Sequence, residues 1–415
     1  MRLFFIFLFI FLFDVYVFQA FTELGQSWSK STKSIVYTIY WLIPALAMSF
    51  IAAITFMDIS KWDRNTFTIL RSIFLIIYFS KFLIVVVLFI DDLRRLIMSA
   101  YDGVAGTQSH DKSRSSFLSQ IAIFVGSVPL LTLTYGIIRN RYRYTVYKET
   151  VPVEDLPESL DGLKIVQISD IHSGSFTLKE PVKSAVDLIN KQEADLVFFT
   201  GDLVNSVASE MNDFIDVFDK IEAKYGVYSI LGNHDYGDYA RWESVEAKKQ
   251  NFQQLINTHK KMGWDIMLNE NRKVEINGET VSIIGVENYS ASARFHKYGN
   301  LTEAYEGTEG SSLKLLLSHD PTHWEDEVLK KFKDIAITFS GHTHGAQFGI
   351  EIPGWIKWSP IKYVYKQWAG LYKKGKQYLY VNRGLGFSGY PGRVGILPEI
   401  TVMRLKHFTA KKSLS

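Results

Sequence analysis

Four long apolar runs in the first 140 residues constrain this 415-residue chain more than any other feature. The runs cover residues 3–21, 35–57, 67–90 and 117–138. Each has about the 20 residues that a helix needs to cross a bilayer. Because backbone amides find no water in lipid, such runs fold as helices. The sequence therefore predicts an all-α, four-helix transmembrane region over residues 1–140.

The first apolar run has a second interpretation, a cleaved signal peptide. Its start carries only Arg2, and its apolar stretch is longer than a usual signal core, which favours an uncleaved helix. Asp14 interrupts this run, and a carboxylate at that depth is costly unless it faces other helices. We therefore expect Asp14 to point into a helix bundle.

Basic residues after the last run favour a cytoplasmic location for the rest of the chain. Arg139, Arg141, Arg143 and Lys148 follow the run closely, and basic residues next to a membrane span favour the cytoplasmic side. An ordinary solvated linker is the alternative interpretation of this cluster. The amino-acid composition of the whole chain argues against several functions. The chain has no Cys, so thiolate ligands, disulfides and Cys nucleophiles are absent. Its net charge of +3 does not indicate a nucleic-acid partner.

After residue 140 the composition becomes that of a globular domain. We interpret residues 141–162 as a linker, 163–407 as the domain and 408–415 as a tail. Short β-branched runs alternate with polar, helix-like runs, and Asn277-Gly278 indicates a hairpin with a type I′ turn. This alternation predicts a mixed α/β domain.

Five polar blocks follow five of the predicted strands. They are Asp170-Ile171-His172, Gly201-Asp202, Gly232-Asn233-His234-Asp235, Ser318-His319-Asp320 and Gly341-His342-Thr343-His344. Open α/β sheets gather their site residues at such strand ends. Carboxylate, amide and imidazole groups form an oxygen and nitrogen ligand set for two metal ions. Such ions activate water and hold the oxygens of a phosphoryl group.

The order of these blocks resembles that of the calcineurin-like metallophosphoesterases, and in particular a membrane-associated bacterial branch. The resemblance covers Leu163 to Leu405 and includes the loop Gly341–Gln347 and the segment Arg383-Gly384-Leu385-Gly386. It implies a four-layer β-sandwich, two packed sheets flanked by helices, with the metals at one edge. It also implies a bacterial inner membrane.

The resemblance further implies a role for each block residue. The first metal would be bound by Asp170, His172, Asp202 and His344, and the second by Asp202, Asn233, His319 and His342. A hydroxide bound to the two ions (manganese, iron or zinc) would attack phosphorus. His234 would protonate the leaving oxygen. Asp235 is expected to be structural, because an Asp in a turn bonds backbone amides.

Asn205 departs from the pattern of the family. Many relatives have Asp at this position, three residues after the bridging carboxylate, where it orients the catalytic histidine. An amide accepts a hydrogen bond but does not stabilise an imidazolium as a carboxylate does. We therefore expect His234 to be a weaker acid, unless another carboxylate replaces the missing one.

Residues 352–372 mix aromatic and apolar side chains with lysines. This pattern is typical of a lipid headgroup interface, and a lid packed on its own domain is the alternative. Arg383 and Arg393 are predicted substrate contacts, because arginine binds phosphate bidentately. Structural pairing is their alternative role.

Together these features predict a membrane-anchored, dinuclear-metal phosphohydrolase with the bilayer as its partner. Its substrate would be a lipid-linked phosphodiester or pyrophosphate, by analogy with relatives that cleave the pyrophosphate of UDP-2,3-diacylglucosamine. Two alternatives stay open. One is a phosphodiesterase for soluble substrates such as cyclic nucleotides. The other is a non-catalytic, metal-binding sensor or scaffold.

Overall fold

A computed structural model describes residues 1–58, 62, 64–105, 115–352 and 354–408 of the chain. The chain divides into two compact units, Met1–Tyr135 and Gly136–Ser415. We call them the helical unit and the sheet unit.

Four long helices begin in the helical unit. They are α1 (Arg2–Leu24), α2 (Lys30–Phe56), α3 (Arg64–Ala105) and α4 (Ser116–Ile138). All four are long and apolar enough to cross a membrane, which confirms the predicted transmembrane region. Helix α3 extends well past the predicted span of 67–90. Its charged continuation remains helical, with Arg94 and Asp91 forming an ion pair one turn apart at 2.9 Å.

Asp14 is fully buried within the helical unit, as its sequence context predicts. The carboxylate pairs with the ammonium group of Lys81. It also accepts hydrogen bonds from the hydroxyls of Tyr40 at 3.1 Å and Tyr78 at 3.0 Å. The buried charge is therefore matched by a cation and two further donors.

The sheet unit contains short helices and many strands. The helices are α5 (Lys179–Asn190), α6 (Ile215–Phe218), α7 (Val245–Lys261), α8 (Leu301–Tyr305) and α9 (Leu329–Lys331). The strands are β1 (Thr145–Glu154), β2 (Lys164–Ile168), β3 (Leu196–Thr200), β4 (Val227–Ile230), β5 (Asp265–Ile266), β6 (Glu270–Ile276), β7 (Glu279–Gly285), β8 (Leu313–Leu317), β9 (Ile337–Ser340), β10 (Ile350–Ile352), β11 (Ile356–Trp358), β12 (Gly370–Lys374), β13 (Gln377–Val381) and β14 (Glu399–Phe408).

Two six-stranded sheets form the core of this unit. Their strand orders are β1-β14-β2-β3-β4-β5 and β12-β13-β9-β8-β7-β6. The sheets pack face to face through an apolar layer that includes Phe198, Leu315 and Phe339. Helical side chains such as Leu255 cover the outer face of the first sheet, and Leu301 packs against the second. The helix–sheet–sheet–helix layering confirms the predicted four-layer α/β fold.

The prediction of a linker over residues 141–162 is wrong. Strand β1 lies there and pairs in parallel with β14 along its whole length, from Thr145–Glu399 to Glu154–Phe408. Its polar residues resemble a linker because β1 is an edge strand, with half-exposed side chains over much of its length. Phe408, assigned to the tail, ends β14, and residues 409–415 lie outside the described residues.

The hairpin of β6 and β7 agrees with the predicted turn. Asn277 and Gly278 have φ angles of 51° and 83°. A type I′ turn requires positive φ at both central positions, which Asn and Gly adopt most readily.

Candidate metal centre

The five polar blocks follow the carboxyl ends of five central strands, three from the first sheet and two from the second. Strands β2, β3 and β4 precede Asp170, Asp202 and Asn233. Strands β8 and β9 precede His319 and His342. Both sheets therefore contribute to one cluster at a shared edge.

The first group of side chains contains Asp170, His172 and His344, all buried. The Nε2 atom of His344 lies 3.2 Å from the Oδ1 atom of Asp170. It also lies 3.0 Å from the Nε2 atom of His172. Three atoms that can each donate a lone pair to a cation therefore converge.

The second group contains Asp202, His319 and His342. The Nε2 atom of His319 lies 3.2 Å from Oδ2 of Asp202 and 3.2 Å from Nδ1 of His342. The same Asp202 oxygen lies 3.5 Å from Nε2 of His172, which belongs to the first group. Asp202 is thus the carboxylate that the two groups share.

Much of this cluster is held in a left-handed backbone conformation. Positive φ angles between 46° and 73° occur at Asp170, His172, Asp202, His342 and His344. This conformation is unusual for residues other than glycine, and it concentrates at functional sites because the surrounding fold must maintain it.

Glycines in the motifs provide room for the close approach of these loops. A Cβ atom at Gly232 would lie 2.3 Å from Oδ1 of Asp202. One at Gly341 would lie 1.9 Å from Oγ of Ser169 and 2.2 Å from Oδ2 of Asp170. These glycines are therefore required by packing at the cluster itself.

Asn233 has an amide oriented by a residue that the sequence did not single out. Its Nδ2 group donates a hydrogen bond to the hydroxyl of Tyr239 at 2.9 Å. Its Oδ1 atom is buried without a hydrogen-bond partner among the described residues. A buried carbonyl oxygen without a donor is costly, and a cation would satisfy it.

Charge states in the cluster also suit a cation. Burial acts to raise the pKa of the Asp202 carboxyl, but the imidazoles of His319 and His234 hold it well below its usual value. Burial lowers the pKa of His172 and of His342. The cluster thus offers an ionised carboxylate and neutral imidazoles, the forms that bind metal.

His319 differs from the other imidazoles. Burial lowers its pKa, but the carboxylate of Asp202 outweighs burial and raises the pKa to about 10. Its Nδ1–H donates to the carbonyl of Thr200 at 2.7 Å, which directs Nε2 to the cluster. A cation at His319 would therefore displace a proton. Taken together, the donor set fits two divalent ions.

His234 lies beside the cluster and is oriented by a backbone group. Its Nδ1 atom lies 2.7 Å from the main-chain carbonyl oxygen of Asn205. The side chain of Asn205 instead exchanges hydrogen bonds with the hydroxyl of Ser175. The amide of Asn205 therefore does not accept the hydrogen bond of the ring, and among the described residues no carboxylate takes its place at Nδ1.

Asp235 is structural in the way its turn position predicts. Its carboxylate accepts hydrogen bonds from the backbone amides of Asp202, Leu203 and Gly232, each at 2.9 Å, and of Val204 at 3.2 Å. It thereby joins the loops that follow β3 and β4.

The structure corrects the prediction that Arg383 and Arg393 contact substrate. Both are buried. Arg383 forms ion pairs with Glu351 and Glu399, and Arg393 donates to backbone carbonyls that include that of Arg383 at 2.7 Å. Neither lines the cleft at the cluster. Arg393 thus links the backbone of residues 383–386 to that of His344.

A cleft of about 650 Å³ opens onto the cluster and is lined by both polar and apolar side chains. Arg294, Phe295 and Val364 form part of its wall. Tyr365 also lines it, and its hydroxyl lies 2.8 Å from Nε2 of His342. Neither Tyr239 nor the contact made by Tyr365 was predicted from the sequence. The aromatic content of residues 352–372 was the only feature of the sequence that pointed to the contact made by Tyr365.

One part of the segment 352–372 is packed on its own domain, and another part is exposed. Trp368 is buried with Ala369 and Ile396, and Tyr365 packs against them, as in a lid. Trp355 and Tyr363, in contrast, are 76% and 75% exposed.

Comparison with known proteins agrees with this geometry. A family model described as "Probable Calcineurin-like phosphoesterase, transmembrane domain" matches residues 1–141. A second, described as "Calcineurin-like phosphoesterase", matches residues 163–346. The uncharacterized metallophosphoesterase YkuE of Bacillus subtilis is 31% identical over 308 residues, which cover 71% of this chain and 98% of that protein.

A similar protein in Danio rerio is named "Transmembrane protein with metallophosphoesterase domain". It is 29% identical over 279 residues, which cover 66% of this chain. The match spans only 60% of the length of that relative.

Proposed function

Because this chain belongs to the calcineurin-like metallophosphoesterases, which are metal-dependent phosphoesterases, we propose that it is a membrane-anchored phosphohydrolase with a dinuclear centre. The carboxylate shared by the two groups carries the proposal. Asp202 lies within 3.5 Å of imidazoles from both. Such a carboxylate can bind two cations at once, as a two-metal phosphoryl-transfer site requires.

The ligand assignment follows the two groups. In this proposal Asp170, His172, Asp202 and His344 would hold the first ion, and Asp202, Asn233, His319 and His342 would hold the second. Oxygen and imidazole donors without thiolate are compatible with manganese, iron or zinc. When bound, the ions supply Lewis acidity and an activated water.

His234 is the proton donor in this proposal. The Asn205 carbonyl accepts the Nδ1–H of the ring in both its neutral and its charged form, so the proton that is exchanged resides on Nε2. An imidazole suits proton transfer near neutral pH. We assign that proton to the leaving oxygen of the substrate.

Arg294 replaces the two buried arginines as the candidate phosphate contact. It is exposed, lines the cleft, and forms no ion pair among the described residues. Its guanidinium lies 5.7 Å from the ring of Phe295. A cation free of carboxylate partners is available to a phosphate anion.

The substrate in this proposal is a lipid-linked phosphodiester or pyrophosphate. Four helices that can span a membrane support it, as do the apolar side chains Ile361, Val364 and Phe295 in the cleft wall. Arg139, Arg141 and Arg143, which follow the end of α4, support a cytoplasmic location of the sheet unit. The membrane in this proposal is a bacterial inner membrane.

The test is hydrolysis of bis-p-nitrophenyl phosphate by the full chain in detergent, with and without Mn²⁺. We expect Mn²⁺-dependent turnover. His234→Ala should retain two ions per chain while turnover falls about 10²–10⁴-fold, the usual contribution of a general acid. Two bound ions without turnover of this or a lipid-linked diester would leave the binding scaffold as the function. Equal turnover of soluble and lipid-linked diesters would favour the soluble-substrate enzyme.

A further inference from the structure

The segment from Ile350 to Lys374 exposes apolar side chains beside the cleft. It comprises the hairpin of β10 and β11, the turn that follows and strand β12. The side chains of Trp355, Tyr363 and Val364 are 76%, 75% and 73% exposed. Those of Ile350 and Ile352 are 51% and 43% exposed. A soluble domain rarely presents so many large apolar groups in one short stretch unless they contact something.

We infer that this segment inserts its apolar side chains into the surface of the bilayer. The proposal concerns a membrane contact of the sheet unit itself, in addition to the four helices. It stands independently of the reaction proposed above.

The positive charge of the segment favours a lipid surface as its binding partner. Residues 350–374 contain five Lys and one Glu. The Glu, Glu351, is paired with Arg383, and one of the lysines, Lys374, is paired with Glu325. Lys362 and Lys366 are exposed and form no ion pair among the described residues. Aromatic rings interleaved with unpaired lysines match the apolar depth and the anionic headgroups of a lipid surface.

Hydrogen bonds fix the backbone at the base of the segment. The exposed side chains therefore extend from a fixed part of the backbone. The backbone of Trp368 is held through its carbonyl, which accepts a hydrogen bond from Thr343 Oγ1 at 2.6 Å. Ser359 donates to the carbonyl of Gly345 at 2.8 Å. Both partners lie in the loop that carries His342 and His344.

The same segment also forms part of the cleft. Ile361, Val364 and Tyr365 line it, and Tyr365 contacts His342. A bilayer at Trp355 and Tyr363 would therefore place lipid chains next to the apolar wall of the cleft. A lipid-linked phosphate could then reach the metal centre without leaving the membrane surface.

Single-cysteine labelling tests the contact, because the chain has no native Cys. Nitroxide labels are attached to Trp355→Cys and Tyr363→Cys in the full chain. Val245→Cys is the matched control, since Val245 is 65% exposed at the start of α7. Each protein is reconstituted into vesicles of phosphatidylcholine and phosphatidylglycerol. Collisions with oxygen, which concentrates in lipid, and with a water-soluble nickel complex are then measured.

We expect the labels at 355 and 363 to favour oxygen and the label at 245 to favour nickel. Nickel access at 355 and 363 equal to that at 245 would overturn the proposal. So would protection from both reagents with dipolar broadening between labels, because that result identifies a second copy of the chain as the occupant. Hydrolysis of bis-p-nitrophenyl phosphate by the labelled proteins is recorded in parallel, so a failure of the reaction is distinguished from a failure of the membrane contact.

Discussion

The two units both bury carboxylates, but they satisfy them in different ways. In the helical unit, Asp14 faces the cation Lys81 and the hydroxyls of Tyr40 and Tyr78. In the sheet unit, Asp202 lies beside the imidazole of His319, which in turn contacts that of His342. The nearby Oδ1 atom of Asn233 has no hydrogen-bond partner among the described residues.

This difference shows that a buried charge does not by itself identify a ligand site. The group around Asp14 is complete, since each of its carboxylate oxygens has a donor. Such a buried pair is retained because removing one partner leaves the other unbalanced. The group around Asp202 brings several lone-pair donors close to one another. A bound cation would accept the lone pairs of all these atoms at once.

The largest expected effect is that of Asp202→Ala on the metal centre. Because both groups lose their shared ligand, turnover should fall by more than the ~10–100-fold that loss of an outer-shell partner costs. Mn²⁺ at 100 times its Kd should stabilise the native chain by about 2.7 kcal/mol, and the variant by much less. Metal content after dialysis and thermal unfolding measure this. Two ions retained by the variant would contradict the shared-ligand assignment.

Asp14→Ala should destabilise the helical unit and leave the metal centre unchanged. It leaves the Lys81 cation buried without its counter-charge, at a cost of about 3–5 kcal/mol. Unfolding in detergent followed by circular dichroism measures the loss. The double variant Asp14→Ala/Lys81→Met should recover part of it, because no charge stays buried. Loss of Mn²⁺ binding in Asp14→Ala would show that the two clusters are not independent.

Tyr365→Phe should weaken binding of the second ion. It removes the hydroxyl that lies 2.8 Å from Nε2 of His342 but keeps the ring in the cleft wall. We expect Mn²⁺ affinity to fall about 10–100-fold, the usual cost of losing an outer-shell partner. Tyr363→Phe is the matched control from the same segment, with an exposed ring that does not contact the cluster. Equal Mn²⁺ titration curves for the two variants would refute a positioning role for Tyr365.

Asn205→Ala should have the smallest effect. The carbonyl that bonds His234 belongs to the backbone, so it persists when the side chain is removed. Turnover should therefore fall by less than about tenfold, below the contribution of a general acid. Ser175→Ala, which removes the partner of the amide, should behave in the same way. A loss as large as that of His234→Ala would restore the orienting role to the side chain.

The residues of the candidate metal centre could be singled out in the sequence because their signals are local. Each ligand block follows an apolar run, and glycines such as Gly232 and Gly341 lie within the blocks because neighbouring loops leave no room for a Cβ atom. The roles of Arg383 and Arg393 were not predictable. An arginine that binds phosphate and one that pairs with Glu399 look alike until burial is known.

The membrane helices, the α/β class and the candidate ligand residues could be predicted from the amino-acid sequence, because apolar length and strand-end motifs involve only neighbouring residues. Tertiary structure alone decided that residues 145–154 form a strand, since its hydrogen-bonding partner begins at Glu399. The packing of the sheets also places a carbonyl against the ring of His234, and it brings Tyr239 to Asn233 and Tyr365 to His342. Those contacts join loops that follow different strands, and their geometry exists only once the two sheets have packed.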